Sequence, residues 1–373
     1  MYIKSLMAEN FRNYKRQELV LSPDTNVFVG NNAQGKTNIL EACYLFSHGR
    51  SHRAKSDSEL VRFGEGLFTL KAVFADSERE YNAVIRINTE GKKIIKINNV
   101  PVTKLSQLMS YLNVVMFAPD DLELVKGSPA VRRRFVDEAI SQLYPNYLVN
   151  LINYNKTLVQ KNALLKSLRH TGVKNDATLS VWNEQLAGYG AAIQKYRYEF
   201  LNKLSDFAKE IHTEITKEIF KLYYTPNINC DIIDNVKEVF LKKLESVQER
   251  EIDMGASQYG IQRDDFKITI DEHDVKVYGS QGQQRTCVLT LKLAETEYIK
   301  SVKGEYPVLL LDDIMSELDI NRRIYLAERI TGKQVLITCT DIDTLKKGTK
   351  TKVFNISGGH ITEKEASDVS SSG

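Results

Sequence analysis

The residues best suited to chemistry are Gly30-Asn31-Asn32-Ala33-Gln34-Gly35-Lys36-Thr37, with Asn38 next. They satisfy G-x-x-x-x-G-K-[ST] in full, a loop whose backbone N–H groups turn inward onto phosphate oxygens. The glycines allow the curl, and a following helix N-terminus adds positive partial charge. Lys36 supplies a point charge for the β- and γ-phosphates, and Thr37 a hydroxyl for Mg²⁺. The implied ligand is ATP with Mg²⁺. A second group is Val308-Leu-Leu-Leu-Asp-Asp313, an apolar run ending in two acids. Asp312 is the natural carboxylate for Mg²⁺ beside Thr37. Asp313 is placed to orient, or take a proton from, an attacking water, so Lys36 and Asp313 are the candidate catalytic pair. A third is Gly279-Ser-Gln-Gly-Gln-Gln-Arg285. Taken alone it fits two roles, a phosphate cradle or an ordinary helix cap.

Each group needs a particular scaffold. Asn26–Val29 reads as a short buried strand entering the glycine turn, and Asn38–Phe46 as the helix leaving it. Pro307–Leu311 and Gln334–Thr338 read as buried strands, with helices at Thr286–Lys300 and Arg322–Thr331. Alternating strand and helix predict a parallel, covered sheet. Tyr2–Met7, Thr69–Phe74, Tyr81–Ile87 and Lys93–Ile97 alternate as in an antiparallel meander. The middle is helical: Val131–Leu168 and Leu179–Lys221 predict a hairpin of two long helices, and Val236–Glu251 a further helix. Phe266–Ile270 and Asp274–Tyr278 read as a β-hairpin. The fold class is α/β, with sheet elements at both ends forming one lobe around an inserted, mainly helical lobe. The expected boundaries are 1–112 and 301–365 for the nucleotide lobe. The insert is expected at 113–300, including 279–286, and a disordered tail at 366–373.

Composition narrows the class. The chain has 373 residues, 42% hydrophobic and 27% charged, an ordinary globular balance. A net charge of +3 does not by itself indicate a nucleic-acid partner. Cys43, Cys230, Cys287 and Cys339 form no C-x-x-C pair, and the six histidines show no metal spacing, which argues against a metallonuclease. No apolar run approaches a membrane span and the N-terminus is no signal peptide, so a cytoplasmic protein with no membrane partner is expected. No Asn-Lys-x-Asp element follows the P-loop, which argues against a GTPase.

Taken together, the motifs resemble the ABC/SMC class of ATPases, and within it a branch that serves bacterial recombination repair. The carriers run through nearly the whole chain: Asn10-Phe-Arg-Asn13, Lys36–Glu41, Gly49-Arg-Ser-His-Arg53 and Phe117–Leu122 with Arg132–Phe135. Ser280–Thr286, Leu310–Asp313 with Ser316–Asp319, and Thr338-Cys-Thr-Asp341 complete the set. The resemblance implies an ABC-type P-loop ATPase head with a mixed sheet, and a short helical hairpin in place of a long coiled coil. It implies that Ser280, Gly282 and Gln283 cap ATP held by a partner chain, so that ATP drives a homodimer. Arg12 would approach the nucleotide phosphates, and Asp319 would lie in the dimer loop. Phe117–Asp120 would hold the loop that senses metal and γ-phosphate. Arg50 and Arg53 would couple DNA contact to hydrolysis. The implied role is an ATP-dependent DNA clamp of recombinational repair and replication-fork maintenance, linked to the SOS response. It would act at single-strand/double-strand junctions with two partner proteins of recombinase loading. The sequence departs from the usual ABC pattern at Asp313, where a glutamate is usual, and at Thr340, where a histidine is usual. Both imply slow turnover.

From residues alone, the clusters Arg50/His52/Arg53/Lys55, Lys92/Lys93/Lys96, Arg132–Arg134 and Lys242/Lys243 are each a phosphate-binding patch or a solvated face. No helix-turn-helix, finger or RNA-recognition signature is present, so any DNA contact reads backbone and shape. Two other functions fit the motifs. One is a transporter's nucleotide-binding subunit, which would carry a fuller Leu-Ser-Gly-Gly-Gln signature. The other is a nucleotide-gated protein scaffold.

Overall fold

Alternation of apolar and polar residues builds the first sheet, because successive side chains of a strand point to opposite faces. The computed structural model describes residues 1–173, 176–341 and 351–364. The elements begin with β1 (Tyr2–Phe11), β2 (Tyr14–Val20), β3 (Thr25–Val29) and α1 (Lys36–His48). Then come β4 (Leu67–Ala75), β5 (Glu80–Asn88), β6 (Lys93–Ile97), β7 (Val100–Pro101), α2 (Leu105–Leu108) and β8 (Val114–Phe117). The helical stretch holds α3 (Glu123–Lys126), α4 (Pro129–Leu143), α5 (Pro145–Thr171) and α6 (Ala177–Thr216). It continues with β9 (Phe220–Thr225), α7 (Val236–Ser246), α8 (Gln248–Met254), β10 (Asp265–Ile270), β11 (His273–Asp274) and α9 (Val275–Tyr278). The last part is α10 (Gln281–Lys303), β12 (Val308–Asp312), α11 (Ile314–Glu317), α12 (Ile320–Arg329), β13 (Val335–Cys339), β14 (Thr351–Ser357) and β15 (His360–Lys364).

These elements form two compact units, one of Met1–Leu122 with the chain from Arg285 onward, the other Glu123–Gln284. The first unit holds two six-stranded sheets. One, ordered β2-β1-β4-β5-β6-β7, is antiparallel throughout. The other, ordered β15-β14-β3-β13-β12-β8, is parallel except for the final β14–β15 pair, so the sheet is mixed. A continuous core joins them: Leu6, Phe68, Leu70 and Ile85 of the first sheet, Leu40 and Phe46 of α1, and Phe28, Leu310 and Leu336 of the second. The second unit is the helical hairpin α5–α6 with α7 and α8, plus a three-stranded sheet β11-β10-β9. Among the described residues, no helix is long and apolar enough to cross a membrane.

The unit boundaries differ from the expected 112/113 and 300/301. Val114–Phe117 pairs in parallel with β12, which puts it in the first unit's sheet, and α10 from Arg285 onward packs there too. The expected tail at 366–373 lies outside the described residues. The single helix expected over Val131–Leu168 is broken at Tyr144, which is non-helical and precedes Pro145. Of the strand expected at Asp274–Tyr278, only the first residue belongs to β11. Asp274 then accepts a hydrogen bond from the Lys276 N–H and starts the helical turn α9. β14 and β15 were not anticipated from sequence. Their signal is the apolar Val353, Phe354 and Ile356 ahead of a Gly358-Gly359 turn.

Candidate functional site

β3 delivers the chain into the loop Gly30–Gly35, and α1 begins at Lys36. Gly30 passes so close to β14 that a Cβ would sit 2.3 Å from the Ile356 carbonyl oxygen. Gly35 has φ +112°, which favours glycine, and Ala33 also lies at positive φ. Alternating backbone hands of this kind make the concave N–H surface that suits anions. The outer side of the loop is held by the first sheet. Asn13 donates from Nδ2 to the Gln34 carbonyl at 2.8 Å, and the Tyr14 hydroxyl donates to the Gly35 carbonyl at 2.8 Å. Asn38 donates to Asn13 Oδ1 at 2.8 Å, and the Gly358 N–H donates to Gln34 Oε1 at 2.6 Å. Asn31, Asn32 and Ala33 remain exposed at the tip. Lys36 folds back over the loop, donating from Nζ to the Gly30 carbonyl and to Asn32 Oδ1 at 3.3 Å.

The two acids stand where strand order brings them. Asp312 ends β12, and its register partner on parallel β13 is Thr338. Asp312 Oδ1 accepts from Thr37 Oγ1 at 2.8 Å and from Thr338 Oγ1 at 2.7 Å. One carboxylate oxygen thus ties the loop helix to two sheet strands. Thr338 was not singled out from sequence as a site residue. Its signal is a threonine at the C-terminal end of a buried strand beside the acid-bearing one. Asp313 follows at φ 52°, and its N–H donates to Thr338 Oγ1 at 3.0 Å. Asp313 is half-buried and Thr340 exposed.

Arg12 leaves the first strand in a left-handed conformation at φ 54° and closes a bidentate ion pair on Glu41, Nε to Oε2 and Nη2 to Oε1, both at 2.8 Å. Glu41 also accepts from Arg53 Nη2 at 3.0 Å and from the Ser51 hydroxyl. Arg53 Nη2 reaches Asn38 Oδ1 at 2.8 Å as well. Arg12 and Arg53, expected from sequence to serve phosphate and DNA, therefore share one buried carboxylate one helical turn beyond Thr37. Glu41 is fully buried, which pushes its carboxyl up, but hydrogen bonds from Arg12 and Ser51 and the charges of Arg53 and Arg12 outweigh burial and hold it at about 2. Glu41 was read from sequence only as part of an extended motif. Its isolation among apolar residues of α1 is the signal for a buried anchor.

The remaining basic clusters separate. Arg50 and Lys92 are exposed. Lys93 turns to the inner side of its strand, donating to the Gly49 carbonyl at 2.6 Å and pairing with Asp57 at 2.5 Å. Arg132 makes a bidentate pair with Asp265 at 2.6 and 2.8 Å, Arg133 donates to the Asp264 carbonyl at 2.8 Å, and Arg134 pairs with Glu138 at 2.9 Å. The Arg132–Arg134 run is thus spent inside the second unit. Ser280 precedes α10 and forms a reciprocal cap with Gln283. The Gln283 N–H donates to Ser280 Oγ at 3.2 Å, and the Ser280 N–H donates to Gln283 Oε1 at 2.9 Å. Gln283 Nε2 also donates to Glu218 at 2.8 Å. Ser280 is exposed, and Gly282 lies in the first turn of α10. Gly30–Asn38, Asp312, Asp313, Arg12 and Arg53 therefore come together in the first unit, whereas Ser280, Gly282 and Gln283 belong to the second.

A phosphate loop braced by an antiparallel sheet, with paired acids at the end of a parallel strand one removed from the loop strand, defines an ABC-type ATPase head. The RecF/RecN/SMC N-terminal domain family matches residues 2–362. The DNA replication and repair protein RecF of Clostridium perfringens (strain SM101) is 42% identical over 365 residues, covering 97% of this chain and 99% of that one. The Clostridium tetani protein of the same name is 43% identical over 369 residues, covering 97% and 100%. A solved structure of the recombination mediator protein RecF with ATP, in the RecFOR pathway, superposes with TM-score 0.91 at 36% identity and covers 98% of both chains. The chain belongs to the RecF family.

Proposed function

We propose that this protein is an ATP-dependent DNA-binding switch of replication and recombination repair, in which bound ATP joins two copies and hydrolysis releases them. The observation that carries the reading is the Thr37–Asp312 contact at 2.8 Å, with Thr338 behind it. A hydroxyl and a carboxylate facing each other across the phosphate loop are the oxygen donors that Mg²⁺ accepts while keeping its waters. They fit that ion, which would neutralise phosphate charge when bound. Gly30–Asn38 would cradle the phosphates, with Lys36 exchanging its loop acceptors for phosphate oxygens. Asp313 would orient the attacking water. Its side chain is one C–C bond, about 1.5 Å, shorter than glutamate, so turnover is slow.

Ser280, Gly282 and Gln283 would cap the γ-phosphate of ATP held by a second copy in a two-fold pair. An exposed serine that begins a helix suits that role, because helix N-terminal N–H groups and the hydroxyl are both donors to an anion. DNA would be held through its backbone at single-strand/double-strand junctions, with RecR and RecO as protein partners in the cytoplasm. Sedimentation with and without ATP tests the switch. Wild type is expected to double its mass with ATP, Ser280→Arg to bind ATP as a monomer, and Asp313→Asn to remain paired while phosphate release stops. A wild-type mass unchanged by ATP at micromolar protein overturns the reading. Phosphate release with and without DNA separates the switch from a non-hydrolysing scaffold.

A further inference from the structure

We propose that the outward face of β4, β5 and β6 is a track for a nucleic-acid phosphate backbone, with Lys71, Arg86 and Lys96 as its contacts. The pleat decides which residues face out. Leu70, Ala72, Ala83, Ile85 and Ile97 are buried in the core, so Lys71, Arg86 and Lys96 between them lie on the opposite face, and all three are exposed. The register aligns them across strands: Lys71 pairs with Val84, Val84 with Lys96, and Arg86 stands two residues beyond Val84. Strand spacing and rise then put Lys71 and Lys96 about 10 Å apart and Arg86 about 8 Å from each. Sequence neighbours mislead here. Lys93 belongs to the other side of β6, pairing with Asp57, while Lys96 joins cations from two other strands.

Among the described residues, none of the three charges has an ion-pair partner, although Glu9 of β1 lies on the same face, opposite Thr69 and diagonal to Lys71. Leu67–Ala75 and Lys93–Ile97 hold no acid, and the one acid of Glu80–Asn88 is Glu80 at its start, whose partner is Lys4. Other cations of the same sheet behave differently. Arg16 pairs with Glu18 at 2.7 Å on β2, and Lys4 with Glu80 at 2.5 Å. Like charges held this close repel one another, and a polyanion laid across them removes the repulsion while releasing its own counterions. The residues set directly between the three cations on this face, Val84 and Ile94, are apolar, so the contact follows the backbone and not the sequence.

This inference rests on the DNA-binding reading above, and one titration separates the two. The full-length protein with ATP is titrated with fluorescent duplex DNA, single-stranded DNA and polyglutamate at several salt concentrations. The variants are Lys71→Glu/Arg86→Glu/Lys96→Glu and a charge-matched control, Lys156→Glu/Lys203→Glu/Lys209→Glu, on exposed positions of the second unit. The sheet variant is expected to bind DNA at least about tenfold more weakly, with the log–log salt slope shallower by roughly 2–3, and to retain ATP binding. The control is expected to bind within about twofold of wild type. Equal loss in both variants, or none in the sheet variant while wild type binds, overturns the track. Wild type that binds polyglutamate and no nucleic acid overturns the DNA reading itself. Retained ATP binding and an unchanged thermal midpoint exclude misfolding as the cause of any loss.

Discussion

Two buried carboxylates, one in each unit, answer their arginines in opposite ways. Glu41 has a bidentate Arg12, a second cation in Arg53 and the Ser51 hydroxyl. Asp264 has one arginine, Arg197 at 2.8 Å, which it shares with Asp137, and its other donors are neutral: the Tyr224 hydroxyl at 2.6 Å and the Asn227 N–H at 2.8 Å. Burial raises both carboxyls. Two cations overcome it at Glu41, which falls to about 2, whereas at Asp264 burial prevails over half an arginine and the carboxyl stays above its ordinary value. The solvent side differs too. Arg12 and Arg53 are 22% and 37% exposed, but Arg197 is 3% exposed. The first network borders the Gly30–Asn38 loop through Asn38 and keeps its cations open to solvent, while the second is closed and lies within its own unit.

The comparison breaks most visibly at Arg197. Arg197→Met leaves Asp264 and Asp137 without their shared cation and is expected to cost about 3–5 kcal/mol. Denaturant unfolding followed by tryptophan fluorescence reads it at Trp182, the chain's one tryptophan, which lies in α6 with Arg197. A loss under about 1 kcal/mol would mean that the closed network is not structural. Next in size is Glu41→Gln. A carboxyl held at about 2 against an ordinary 4.5 adds stability that is complete above pH 4.5 and lost as pH falls toward 2. The variant is expected to be about 3 kcal/mol less stable at pH 7, with the difference closing across that acid window. Asp264 acts with the opposite sign, its raised carboxyl costing stability as pH climbs through and above 3.8, so the acid-side gain belongs to Glu41. A difference that does not change with pH would remove the contrast. The smallest effect is expected at Arg53→Ala, below about 1 kcal/mol in thermal unfolding, because a partly exposed cation is screened and Arg12 still holds Glu41.

Much of the site was legible in order along the chain. Gly30–Thr37 could be placed between a strand and a helix because its flanking apolar runs have the right lengths, and both strand and helix are there. The acids Asp312 and Asp313 were legible because four apolar residues before them require a buried strand. Ser280 was left open between cap and cradle, and in the single chain it is a cap, with Gln283 as its partner. The basic clusters were the least legible. Runs such as Arg132–Arg134 look alike as text, yet their three side chains go to Asp265, the Asp264 carbonyl and Glu138. β14 was missed although it flanks the loop strand, because its parallel pairing with β3, Thr351 to Thr25, is set by tertiary structure and not by local sequence.

The sequence alone determined the chemistry available, a phosphate loop with its lysine and threonine and two acids on a buried strand. Those depend on residue type and short spacing, which a chain carries wherever it folds. Only the tertiary structure decided which groups meet. Thr338 reaches Asp312 because β13 lies beside β12 in register. Arg12 reaches Glu41 because the first sheet lies against α1, and Arg53 because the loop after α1 returns to that helix. Lys96 parts from Lys93 and joins Lys71 and Arg86 because a pleat turns successive residues to opposite faces and the register lines up those on the same face.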